Sequence, residues 1–86
     1  MAPQTKAAHL VRIDSDSTHG WQARVGVTGR RNGLSMLCSD SVYGGAGLAE
    51  RAAKAALRLL QLRAVMLERQ RLARELRQRP LVARGA

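Results

Sequence analysis

Apolar residues recur along this chain with two different periods. Between His9 and Ser39 they alternate with polar ones. Trp21, Ala23, Val25 and Val27 fall on one side of an extended segment, and Gln22, Arg24, Gly26 and Thr28 on the other, because side chains of a strand point to opposite faces in turn. Three such segments, His9 to Ile13, Trp21 to Thr28 and Leu34 to Ser39, are bounded by turn-forming stretches. Asp14 to Gly20 is rich in Asp, Ser and Thr, and Gly29 to Gly33 holds the Asn32-Gly33 step that tolerates positive φ in tight hairpins. The pattern predicts three antiparallel strands. Leu34, Met36 and Cys38 take the Trp21 side, leaving Ser35, Leu37 and Ser39 outward.

From Ala46 the period lengthens. Through Arg79 there is no proline and, beyond Gly47, no glycine, while Ala, Leu, Arg, Glu and Gln dominate, so one long helix ending at Pro80 is predicted. Leu48, Ala52, Ala55, Leu59, Leu62 and Met66 follow helical spacing and are the predicted cover for the Trp21 side of the sheet. The fold class is therefore α+β: a three-stranded antiparallel sheet packed on one long C-terminal helix. Such a helix would be roughly 50 Å long, whereas a strand of six to eight residues spans only about 20 to 27 Å. The helix must overhang. Residues 9–60 are read as the compact domain and 61–79 as a helical extension. Residues 1–8, which lack periodicity, form a loose arm, and 80–86 a tail.

In the extension Leu62, Val65, Met66, Leu72 and Leu76 continue at three- and four-residue steps without an internal partner, which predicts pairing into a homodimer. A solvated arginine-rich tail from Arg71 onward is the competing reading. Glu50 with Lys54, Glu68 with Arg71 and Glu75 with Arg79 are spaced for local charge pairs.

Composition narrows the partners. Fifteen Lys and Arg against six Asp and Glu give the 86-residue chain a formal charge of +9, which points to a polyanion. Only Lys6 and Lys54 are lysines, and the planar fork of arginine suits phosphates and base edges. A lone Cys38 rules out an intramolecular disulfide and makes the cytoplasm the default compartment. No apolar run is long enough for a signal core or a bilayer span. Arg63, Arg69 and Gln70 interrupt the apolar face that a membrane-surface helix would need.

Two stretches resemble the bacterial and phage versions of the plant ethylene-response-factor (APETALA-type) DNA-binding domain: Gly20-Trp21-Gln22-Ala23-Arg24-Val25, and Ser39-Asp40-Ser41-Val42-Tyr43-Gly44-Gly45 before an alanine-rich helix. The resemblance spans His9 to Leu60. It implies a three-stranded sheet on one helix, similar to the N-terminal arm-binding domain of tyrosine-recombinase integrases, with the exposed sheet face set in the DNA major groove. Where that family carries phenylalanine before the Ser-Asp-Ser step, this chain has Cys38.

The candidate DNA-binding residues follow from strand phase and charge. Gln22 and Arg24 project away from the helix, and their side chains suit adenine and guanine edges respectively. Arg12 on the first strand is expected to join them, with Thr28 on the same face. Arg30 and Arg31, placed in the hairpin loop, need only reach and charge to hold phosphates. A solvated strand face carries the same residue types, and on the chemistry alone the two readings stand level. The resemblance favours duplex DNA as the partner, against the rival of a protein-interaction module that pairs through the long helix. Trp21 shares a face with Val25 and Val27 and is expected in the core rather than as a base-stacking platform, and Tyr43 is expected to lock the strand-to-helix turn.

Other chemistries lack parts. Asp14 to Thr18 opens like a calcium loop, but the glycine arrives one place late and Val25 stands where the closing glutamate belongs. His9, His19 and Cys38 fall short of the four ligands of a structural zinc site. No nucleophile has a base at a recognisable spacing, and no Walker-type glycine loop is present. No catalytic residue, metal, cofactor or small-molecule substrate is therefore expected.

Overall fold

A computed structural model describes residues 8–78. In chain order these form β1 (Ala8–Asp14), β2 (His19–Val27), β3 (Arg30–Ser39), the single-turn α1 (Asp40–Tyr43) and the long α2 (Ala46–Gln78). The sheet is antiparallel in the order β1-β2-β3, with α2 packed across it, as the two periods predict. Ala8 opens β1 rather than closing an arm. The rest of the expected arm, the stop at Pro80 and the tail lie outside the described residues.

The second hairpin turns earlier than Asn32-Gly33. Val27 pairs with Arg30, so the loop is Thr28-Gly29, with Gly29 at φ +85°. Asn32-Gly33 instead forms a bulge. Between the Val25–Leu34 and Val27–Arg30 pairs β2 supplies Gly26 alone, whereas β3 supplies Arg31, Asn32 and Gly33. Gly33 is required twice over: its φ is +62°, and a Cβ there would run into the Val25 carbonyl oxygen. The longer β3 that results places Arg30 and Arg31 in a strand, not in a loop.

The sheet-facing side of α2 is not the predicted leucine stripe. Ala49, Ala53, Ala56 and Ala64 are the buried positions, with Leu57, Leu60 and Leu67 partly buried beside them. Leu48, Leu59, Leu62 and Met66 stand exposed, and Ala55 with them; of the predicted cover only Ala52 packs on the core. The physical reason is size. Trp21 protrudes from the central strand, and a helix can cross it closely only where its own side chains are methyl groups. One cluster gathers Cys38, Ala49 and Ala53 with Leu10 and Trp21, and the other gathers Val25, Val27 and Ala64 with Leu34 and Leu67. Met36 is paired with the buried Ala23, which puts it on the helix side, yet on the edge strand β3 it stays 45% exposed.

Because β2 and β3 run nine and ten residues, the sheet supports α2 further than expected. Leu67 still packs on the core, and the Arg71 Cδ lies 3.9 Å from where a Cβ on Gly29 would sit. Arg71 is itself held by Glu68 and Glu75. The boundary expected at Leu60 thus moves to about Arg71, and the overhang shortens to Leu72–Gln78.

The turn into α2 was not foreseen as a helix. The Ser39 hydroxyl accepts the Val42 N–H at 3.3 Å, Asp40 sits in the first turn, and Gly44 at φ +89° closes α1 by donating to the Asp40 carbonyl at 2.8 Å. Tyr43 ends this turn with its side chain exposed. Asp40 also receives both arms of the Arg12 guanidinium, at 3.0 and 2.8 Å, while that guanidinium lies 5.6 Å from the Trp21 ring centroid. The hydrogen bond from Arg12 holds the Asp40 carboxyl below the ordinary aspartate range. A depressed carboxylate adds stability above its unfolded-state pKa of about 3.9, and that stability is lost as pH falls through the lower folded value. Arg12→Gln should therefore raise the midpoint of acid unfolding, followed by circular dichroism; an unmoved midpoint means the pair contributes nothing.

Candidate nucleic-acid interface

The side of the sheet away from α2 is ordered in rows by the strand register. His9, Arg24 and Ser35 stand side by side across β1, β2 and β3, and Val11, Gln22 and Leu37 form the next row. Adjacent strands are about 4.8 Å apart, so each row is roughly 10 Å wide, comparable with a major groove about 12 Å across. Neither row contains a carboxylate: Asp14 ends β1 and Asp16 follows it in the β1–β2 turn, Asp40 lies beyond Leu37 at that same end of the sheet, tied to Arg12, and Glu50, Glu68 and Glu75 lie on α2. Arg24 is exposed there, and Gln22 is half-buried between its neighbours.

The hairpin end adds more positive charge. The bulge turns Arg31 and Asn32 toward the same region, so that His9, Arg24, Arg31 and Asn32 line a shallow hollow of about 170 Å³. Arg30 and Thr28 are exposed at the tip beside it. At the opposite end, a broader hollow of about 620 Å³ lies between the β1–β2 turn and α1, lined by Ser17, Thr18, Ser39 and Ser41 with His19, Leu37 and the Asp40 that holds Arg12. His19 faces Asp14 at 2.5 Å across that turn.

Arg12 does not join this face. It is paired across β1–β2 with Trp21, which puts it on the helix side, engaged by Asp40. The first strand carries Leu10, Val11 and Ile13 without clean alternation, so its phase could not be read from hydropathy. The register, pinned by Asp14 opposite His19, sets it and brings up His9 instead. The sequence alone gives His9 no binding role and places Asn32 in the hairpin turn. The signal that could have found His9 is its two-residue offset from Val11 once the first turn is fixed; the bulge that aims Asn32 leaves no such signal.

No helix of the described residues is long and apolar enough to cross a membrane. No family, curated protein or solved structure matches the chain.

Proposed function

We propose that the chain binds duplex DNA, without catalysis, by laying the outward sheet face in the major groove. Gln22 and Arg24 read base edges there, while Arg30, Arg31 and Thr28 at the hairpin hold phosphates. The observation that carries the reading is the hollow at the hairpin end of the outward face, on which His9, Arg24, Arg31 and Asn32 converge and which no carboxylate lines. The likeness to the ethylene-response-factor domain and its integrase counterpart, carried by Gly20 to Val25 and Ser39 to Gly45, agrees with it. A cytoplasmic setting suits the unpaired, buried Cys38.

Fluorescence anisotropy against random duplex, single-stranded DNA and RNA at two salt concentrations tests the reading. Duplex should bind best, with affinity falling steeply as salt rises, because each neutralised phosphate releases counterions. Alanine at both Arg30 and Arg31 should flatten the salt slope by about one to two. Arg24→Ala should cost roughly 1 to 3 kcal/mol on a preferred sequence. If Arg24→Ala leaves specific and random binding alike untouched, the sheet face is not the reader.

A further inference from the structure

The hollow at the hairpin end has the size and the lining of a site for one anion. Its walls include the side chains of His9, Arg24, Arg31 and Asn32 and the backbone of Gly26 and Gly33, and it holds about 170 Å³. Pockets for whole small molecules start at roughly 300 Å³, so this one admits a single chemical group. His9 and Arg24 stand opposite each other in the β1–β2 register, about 5 Å apart at Cα, and the bulge brings Arg31 and Asn32 to the same place. Elsewhere Arg12, Lys54 and Arg71 are each met by a carboxylate. Among the described residues the four side chains of the hollow have no hydrogen-bond or ion-pair partner, and no carboxylate lines it.

We propose that this hollow is a site for one phosphate monoester. Charge decides between the two forms of phosphate. Arg24 and Arg31 bring two permanent positive charges to the same small space. A backbone diester answers with one negative charge and two free oxygens. A monoester carries about −1.5 to −2 at neutral pH and three acceptor oxygens, which balances the pair. The donors are sufficient: each guanidinium presents a two-pronged edge, the Asn32 amide two N–H groups, and the His9 ring at least one. The two glycines complete the fit, because a wall without Cβ atoms lets an anion come close to the main chain.

Such a group arrives on a free phosphate compound or at the phosphorylated end of a nucleic-acid strand. The second source rests on the duplex reading above and extends it. Arg24 has five N–H donors, so one edge of its guanidinium can hold the phosphate while another faces a base.

Amide chemical shifts of the full chain, followed at constant ionic strength, test the site. Inorganic phosphate and adenosine 5′-monophosphate should each give saturable shifts confined to the residues around the hollow, whereas adenosine should give none. Dimethyl phosphate, a diester with one charge, should bind roughly tenfold more weakly or worse. Arg31→Ala should weaken the monophosphate by a similar factor, the worth of one hydrogen bond between charged groups. Arg30→Ala removes an equal charge from the exposed tip beside the hollow, not from its lining, and should change the affinity by about twofold or less. Equal binding of dimethyl phosphate, or equal effects of Arg30→Ala and Arg31→Ala, overturns the monoester site.

Fluorescence anisotropy with one duplex ending in either 5′-phosphate or 5′-hydroxyl reads the source. Tighter binding of the phosphorylated duplex assigns the strand end, and equal binding assigns a free phosphate compound. A chain that binds the monophosphate but no duplex keeps the site and loses the duplex reading. One that binds duplex yet shows no saturable phosphate shift keeps the duplex reading and loses the site.

Discussion

Trp21→Ala is expected to remove a large part of the chain's stability, with a urea midpoint lowered by the equivalent of about 3 kcal/mol and a shortened pre-transition baseline followed by far-ultraviolet circular dichroism. Removing a large aromatic from a core costs about 3 to 5 kcal/mol, and a domain of this size holds only about 4 to 13 kcal/mol in total, the lower part of which such a loss would exhaust. Trp21 sits where β2 meets Cys38, Ala49 and Ala53, and its outer side is covered by the Arg12 guanidinium. Because that cover leaves the ring half-buried, the cost should fall near 3 kcal/mol. The indole N–H is buried without a hydrogen-bond partner among the described residues. A phenylalanine keeps most of the ring and drops this orphaned donor, whose desolvation alone costs about 1 to 3 kcal/mol. Trp21→Phe should therefore lie within about 1 kcal/mol of the parent, the lost donor offsetting the lost volume. Equal urea midpoints for Trp21→Ala and the parent would remove Trp21 from the core.

The contrast between these residues explains which parts of the fold were legible. Trp21, Ala23, Val25 and Val27 alternate without interruption, so the inner face of β2 could be read from the sequence and is buried as read, Trp21 partly. The helix was legible in extent but not in rotation. It bears two apolar sides, one of alanines and one of leucines, and size alone favours the leucines. The choice goes the other way because close approach to a sheet carrying a tryptophan demands small residues, a demand visible only once both elements are placed together. The phase of β1 failed for a related reason. With Leu10, Val11 and Ile13 all apolar, either face of β1 would pass as inner, and the pairing of Asp14 with His19 decides. Gln22 and Arg24 were placed correctly because their strand announces its phase; Arg12 was misplaced because its own does not.

Gly33 joins stability to the candidate site, and Gly33→Ala should damage both. At φ +62° a side chain costs about 1 to 3 kcal/mol in backbone conformation alone. The collision of its Cβ with the Val25 carbonyl oxygen adds to that, and backbone on both sides has no flexible end with which to yield. The strain is relieved most directly by withdrawing the bulge, which shifts Arg31 and Asn32 relative to Arg24 and opens the hollow they share with His9. The expected result is a urea midpoint lowered by the equivalent of about 2 kcal/mol or more, together with a loss of duplex affinity larger than Arg31→Ala alone produces. Gly29→Asn is the matched control. Gly29 also has positive φ, +85°, but the nearest atom to an added Cβ is the flexible Arg71 Cδ at 3.9 Å, and asparagine tolerates the left-handed region. That variant should change stability and binding little. Should Gly33→Ala bind duplex as the parent does while losing stability, the bulge serves only the fold, and Arg31 and Asn32 drop out of the interface.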